Sequence, residues 1–254
     1  MVLDIQNLVK AGKLHPSTGL SWQETFNAIR LSLLHCYDNY VDGDIAEFGT
    51  NTGRTAAVIA HAMSSNEQRS RQKQELRPEM EAVLKRLHLF DSFKGMPKAE
   101  HEIDAISPHV TRGSWGEGSL NTGVGSEVIL KAMSKYLSAK DIIVYDGYFA
   151  QTLESIEPTT RFAFVHVDCD LYQSTVEVLN HLFGHGMVSE GAIILFDDWN
   201  CFRARRDAGE RRAWDENVTR YNIEHSDFQY YSDSGAKVII HNYDSMPESE
   251  LELA

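Results

Sequence analysis

Two short apolar runs in this chain stop abruptly in carboxylates: FAFVHVDCD, ending in Asp168 and Asp170, and AIILFDD, ending in Asp197 and Asp198. Runs of β-branched and aromatic residues of this length read as buried parallel strands. A strand that ends in aspartate puts negative charge at the carboxyl edge of its sheet, where open α/β folds bind ligands. One strand–helix unit separates the two runs, so their acids can converge. Such a cluster repels itself and resists desolvation unless a cation joins it. Oxygen-only donors suit magnesium, manganese or calcium rather than zinc. Asp168, Asp197 and Asp198 are the expected ligands. Asp170 precedes a helical run, so it is a candidate cap for it and a ligand held in reserve, while Asn200 is a further candidate through its amide oxygen. His166 lies two residues before Asp168 and shares its side of the strand. It is open to reading as a base or as a satisfied core group.

A second constellation lies earlier, in DIAEFGTNTGRTA, which has a strand, a glycine loop and a helix in that order. Gly49 and Gly53 permit close approach of the backbone to a ligand. The helix N-terminus after them can receive a negative group such as a carboxylate. A phosphate loop needs Gly-Lys-Ser or Gly-Lys-Thr at its end, whereas Arg54 follows Gly53 here, and the dinucleotide fingerprint needs a third glycine. Asp91 ends the strand LHLFD, where an acid either accepts hydrogen bonds from ribose hydroxyls or caps the next turn, and the glycine loop before it favours ribose. Glu47, inside the first strand, either touches ligand or satisfies a neighbouring loop. The long stretch from Lys94 to about Ser126 carries Trp115 and Glu117. A loop of this length reads as an active-site cover or as disorder, and Trp115 among its glycines favours a mobile cover with an aromatic contact.

The elements that must position these residues alternate. A helix over residues 22–40 precedes the first strand, and an alanine-rich helix follows the glycine loop. A charged segment, about 64–86, reads as a solvated helix or loose insertion. Strand LHLFD, the long loop, a helix near 127–136, strand IIVYDG, the two acid-tipped strands with QSTVEVLNHLF between them and a polar helix come next. A hairpin turning at Ser-Asp-Ser-Gly closes the chain. This order predicts an α/β fold with a mostly parallel, doubly wound sheet and a closing antiparallel strand.

At 254 residues and 42% hydrophobic content the chain can form one large core. Its formal charge of -13, from 37 acidic and 24 basic residues, argues against nucleic acid or an anionic membrane as partner. A small-molecule substrate is the simpler expectation. Three scattered cysteines suit neither a disulfide framework nor a zinc site. No leader-like or membrane-spanning window is evident, so a cytoplasmic location is expected.

The segments VDGDIAEFG, FDSFKGMP, VDCDLYQST and FDDW, between Val41 and about Asn200, resemble the macrocin-type (TylF/MycF) sugar O-methyltransferases of antibiotic biosynthesis. The DxDLYxST block is the most specific part, and Trp199 stands where that family usually has tyrosine. The resemblance implies a class I fold dependent on S-adenosylmethionine: a Rossmann-like, seven-stranded, mostly parallel sheet with a C-terminal antiparallel hairpin strand. It implies S-adenosylmethionine and Mg2+ as cofactors, with residues 41–254 as the methyltransferase domain and residues 1–40 as a helical segment for lid or oligomer contacts. The expected donor-binding set is Glu47, Gly49, Thr50, Gly53, Asp91, Ser92, Asp146 and Gly147. Asp168, Asp197 and Asp198 would hold the metal, and Asp168, Glu117 or His166 would take the acceptor's proton. The acceptor would be a sugar hydroxyl on a glycosylated natural product, and the protein a homo-oligomer. A catechol or other vicinal diol remains open as acceptor. From other classes, so do a nicotinamide-dependent oxidoreductase and a metal-dependent hydrolase.

Overall fold

The computed structural model describes residues 20–246. Helix α1 (Leu20–Asp38) leads into strand β1 (Asp44–Phe48), and the glycine loop joins β1 to α2 (Arg54–Leu76). Then come β2 (Leu87–Asp91), the one-turn helices α3 (Glu102–Ala105) and α4 (Pro108–Thr111), α5 (Ser126–Met133) and β3 (Ile142–Asp146). Short α6 (Phe149–Thr152) precedes β4 (Phe162–Val167), α7 (Tyr172–Gly184), β5 (Val188–Phe196), α8 (Gly209–Arg220) and the hairpin β6 (Glu224–Tyr230) and β7 (Ala236–Asn242).

The seven strands run in the order β3-β2-β1-β4-β5-β7-β6. The first five are parallel, and β7 pairs antiparallel with both β5 and β6. Strand order reverses between β1 and β4, so the chain leaves their carboxyl ends in opposite directions and opens a crevice there. This is the expected sheet.

Alternation along the strands sends their side chains to two cores. Ala46, Phe48, Val165, Val167, Ile194 and Phe196 pack on α7 and α8. Ile45, Leu89, Phe164 and Leu195 pack on α1, α2 and α5. Phe48 stacks on Phe90 with centroids 4.4 Å apart, and Phe90 on Tyr145 at 4.1 Å, a ladder across β1, β2 and β3 just below the crevice. Burying each such ring contributes roughly 1.5–3 kcal/mol.

The charged segment of 64–86 is folded. Residues up to Leu76 continue α2, because an uninterrupted run without Gly or Pro extends the helix at little cost. The remainder returns to the sheet, where Lys85 buries its ammonium against the carbonyls of Val41 and Gly43. Helix α1 buries Phe26, Ile29, Leu33 and Cys36 in the second core. Of the segment 1–40 expected to make lid or oligomer contacts, residues 1–19 lie outside the described residues. No helix among the described residues is long and apolar enough to cross a membrane.

Candidate active site

A cavity of about 900 Å³ opens at the carboxyl ends of β1, β2, β4 and β5. Gly49, Asp91, Ser92, Asp168, Asp197 and Asp198, all singled out from sequence, line it. The ladder carries β4 and β5 one residue past their ends: the Asp168 N–H donates to the Phe48 carbonyl at 2.9 Å, and Asp197 to Val167 at 3.0 Å. Gly49 has φ +96, and a Cβ there would stand 1.8 Å from the Asp168 carbonyl oxygen. Glycine at this position therefore lets the exits of β1 and β4 pass each other, before any ligand is considered. At Gly53 the left-handed backbone, φ +75, calls for glycine, while a Cβ there would meet only the end of the Ile129 side chain at 2.9 Å.

Carboxylate oxygens of Asp168, Asp170 and Asp198 lie within 4.8 Å of one another. Burial and then the neighbouring acids raise Asp168 and Asp170 well above the usual carboxylate range. Asp198 is pushed up to about 7, by burial first and Asp197 second. The Cys201 thiol donates to Asp198 Oδ1 at 3.1 Å, while Oδ2 is buried without a partner. Asp197 accepts from the Tyr231 hydroxyl at 3.3 Å and stands outside the compact trio.

Asp170 does not cap α7. It adopts φ +61 on the turn before the helix. The cap comes from Asp104, whose two oxygens accept from the N–H groups of Tyr172 at 2.8 Å and Gln173 at 3.0 Å. Asn200 is also removed from the ligand set, because its amide oxygen accepts from Arg211 at 2.6 Å. Asp91 accepts from the backbone N–H of Asn51 at 2.8 Å and of Phe93 at 2.6 Å. It thus holds together the two loops that would flank a nucleoside.

Several expected site residues lie elsewhere. His166 and Glu47 are 0% exposed and pair with each other at 3.3 Å across β4 and β1. Burial lowers the His166 pKa, but the Glu47 hydrogen bond and nearby acids outweigh it and raise the ring above its ordinary value. Alternation that aligns His166 with Asp168 also points it into the sheet's packed face, so neither partner lines the cavity. Glu117 is exposed and away from the cavity wall. Thr50 is buried off the wall. Asp146 is exposed and accepts from Ser126 at 2.7 Å. Gly147 is buried, and its N–H donates to the Asp91 carbonyl at 3.0 Å. The residues after it, Tyr148 and Phe149, reach the cavity instead.

The structure adds members that sequence reasoning missed. Arg54 lines the cavity; burial lowers its pKa, against the opposing pull of Asp168 and Asp197. Its place immediately after Gly53 was the available signal. Glu210, 1% exposed, accepts from the Asp198 N–H at 3.0 Å, and burial and the nearby aspartates raise its carboxyl well above the usual range. Gln173 and Glu177 extend the wall along α7.

Comparison with known proteins bears on the fold and the family. An O-methyltransferase of Streptomyces olivaceus, described as acting on the 4'-hydroxyl of a rhamnosyl tetracenomycin, is 27% identical over 169 residues. That alignment covers 66% of this chain, which spans only 57% of the relative's length. The solved O-methyltransferase NovP superposes with a TM-score of 0.61 at 19% identity, over 95% of this chain and 88% of NovP. CalS11, the calicheamicin methyltransferase, gives 0.61 at 19% identity over 94% and 86%. These two likenesses establish the fold. Residues 16–228 match the Macrocin-O-methyltransferase (TylF) family, and the chain belongs to it.

Proposed function

We propose that this chain is a magnesium-dependent O-methyltransferase that moves a methyl group from S-adenosylmethionine to a sugar hydroxyl of a glycosylated small molecule. The observation that carries the reading is the acid cluster at the wall of the β1–β4 crevice. The residues fit a hard dication: the donors are all oxygen, three lie within 4.8 Å, and Asp198 Oδ2 is buried without a partner. They fit the donor as well, since Asp91 faces the cavity at the end of β2 and the N-terminus of α2 adjoins it.

The sulfonium supplies an activated methyl group, and a hard dication makes a coordinated hydroxyl more acidic and fixes its orientation. Asp168 and Asp198 belong both to the sequence-derived ligand set and to the compact trio, and they would hold the cation. Asp170 and Asp197 flank them; one completes the ligand set, and the other accepts the hydroxyl proton. Asp170→Asn and Asp197→Asn separate these roles. The variant that loses Mn2+ binding carried the ligand, and the variant that binds Mn2+ but loses turnover carried the base.

The cavity wall also bears on the acceptor. Seven carboxylates line it, against Arg54 and Lys98. The α7 N-terminus, otherwise an anion seat, is already filled by Asp104. The filled α7 N-terminus offers no seat for a phosphate there, which supports a sugar already attached to its aglycone, as described for the Streptomyces relative. CalS11 is described as a TDP-rhamnose 3'-O-methyltransferase, the other acceptor class. Calorimetric titration with S-adenosylmethionine and with reduced nicotinamide tests the class: binding of the methyl donor alone is expected, and its failure to bind overturns the reading. A screen of neutral glycosides against nucleotide sugars tests the acceptor.

A further inference from the structure

The stretch 94–126 reaches the acid cluster from two sides. Asp104, only 2% exposed, accepts from the first N–H groups of α7 and so fixes the backbone next to Asp170. Trp115 packs with Met96 and Leu171 and lines the cavity wall together with Asp170, and the neighbouring Trp115 side chain works against the rise of the Asp170 carboxyl. His109 stacks on Trp115 with centroids 4.1 Å apart and planes 26° from parallel. His109 Nε2 lies 3.0 Å from the carbonyl oxygen of Cys201, the residue whose thiol holds Asp198. Trp115 is 9% exposed, so little of its ring is left to stack on an acceptor. An aromatic contact to substrate, the role its loop position suggested, leaves this packing unexplained.

We propose that Trp115 and Asp104 are positioning residues for Asp170. Trp115 orients the carboxylate through its indole N–H, and Asp104 fixes the turn that carries it by closing α7. A carboxylate on a turn with φ +61 has no strand ladder to hold it, so its direction depends on such outer contacts. The kinetic part of this inference rests on the methyl-transfer reading, whereas the contact itself does not.

The experiment pairs Trp115→Phe, which keeps a ring and removes the donor, with Asp170→Asn and the double variant. The four tryptophans give indole N–H signals in a 15N correlation spectrum, and Trp115→Phe identifies the one to follow. In Asp170→Asn that signal should move. Trp115→Phe should lower kcat by about 10–100-fold, with acceptor KM and S-adenosylhomocysteine affinity within about twofold of wild type. The double variant should fall no further than Asp170→Asn. Asp104→Asn, as a second route to the same carboxylate, should show the same non-additivity. An indole signal unmoved in Asp170→Asn overturns the proposal, as do additive losses or a raised acceptor KM at unchanged kcat. If wild type transfers no methyl group, the functional reading fails, while the indole signal still decides the contact.

Discussion

Replacing Asp198 with asparagine should stabilise the metal-free protein and abolish its response to divalent cations. The Asp198 carboxyl is displaced from 3.8 to about 7, chiefly by burial and then by Asp197. Between those two values the folded chain keeps a proton that the unfolded chain has lost. Stability is therefore greatest at acid pH, falls as pH rises from about 4 to about 7, and stays low above that. The whole displacement is worth about 4 kcal/mol at about 1.4 kcal/mol per pH unit. Side-chain relaxation and water entry at a half-buried group reduce the expected effect to about 2 kcal/mol. In a domain of this size 1 kcal/mol moves Tm by roughly 2–4 °C. The Asn variant should thus melt about 4–8 °C above wild type at pH 8 in EDTA, with the gap closing toward pH 4. Asparagine keeps an oxygen for the Cys201 thiol, so no packing loss obscures the comparison. Scanning calorimetry across pH, with and without Mg2+, measures both effects. A variant that melts below wild type at pH 8, or a gap independent of pH, refutes the argument.

Other expectations follow from the same geometry. Gly49→Ala should cost about 3 kcal/mol or more from overpacking and positive φ together; a Tm within 2 °C of wild type (roughly 1 kcal/mol or less) would contradict the crowding against Asp168. Glu117→Gln should leave kcat and KM within about twofold of wild type, since a surface site away from the cavity carries little energy. A larger loss would return Glu117 to the list of bases. His166→Leu should destabilise by about 3–5 kcal/mol in chemical denaturation, because it strands Glu47 in the core. A variant as stable as wild type would show that the pair is not a structural unit.

Much of the fold was legible because strands and helices write their burial into local periodicity. The acid-tipped strands, Asp91 and the closing hairpin all stand where their own segments placed them. The failures have a common cause. His166 shares a strand face with Asp168, but two residues deeper that face is packed protein rather than cavity, and period-two alternation carries no depth. Glycines at 49 and 53 signalled an unusual backbone correctly, yet the close neighbours are Asp168 and Ile129. A glycine reports that something approaches, not what approaches.

The least legible residue is Asp104, and it bears directly on Asp170. Local spacing made Asp170 a candidate cap of α7, since it stands three residues before Gln173 in a sequence that turns helical. A long-range acid displaced it: Asp104 lies 68 residues before Tyr172 and reaches the same N–H groups. With those donors satisfied, Asp170 is released from a structural duty and faces Asp168 and Asp198 instead. Like-charge crowding opposes that placement, and burial makes it worse. Such an arrangement destabilises the empty fold, a cost that the proposed cation would offset. The loop that supplies Asp104 also supplies Trp115, which makes the stretch 94–126 part of the machinery that aims the carboxylate as well as part of the cavity wall.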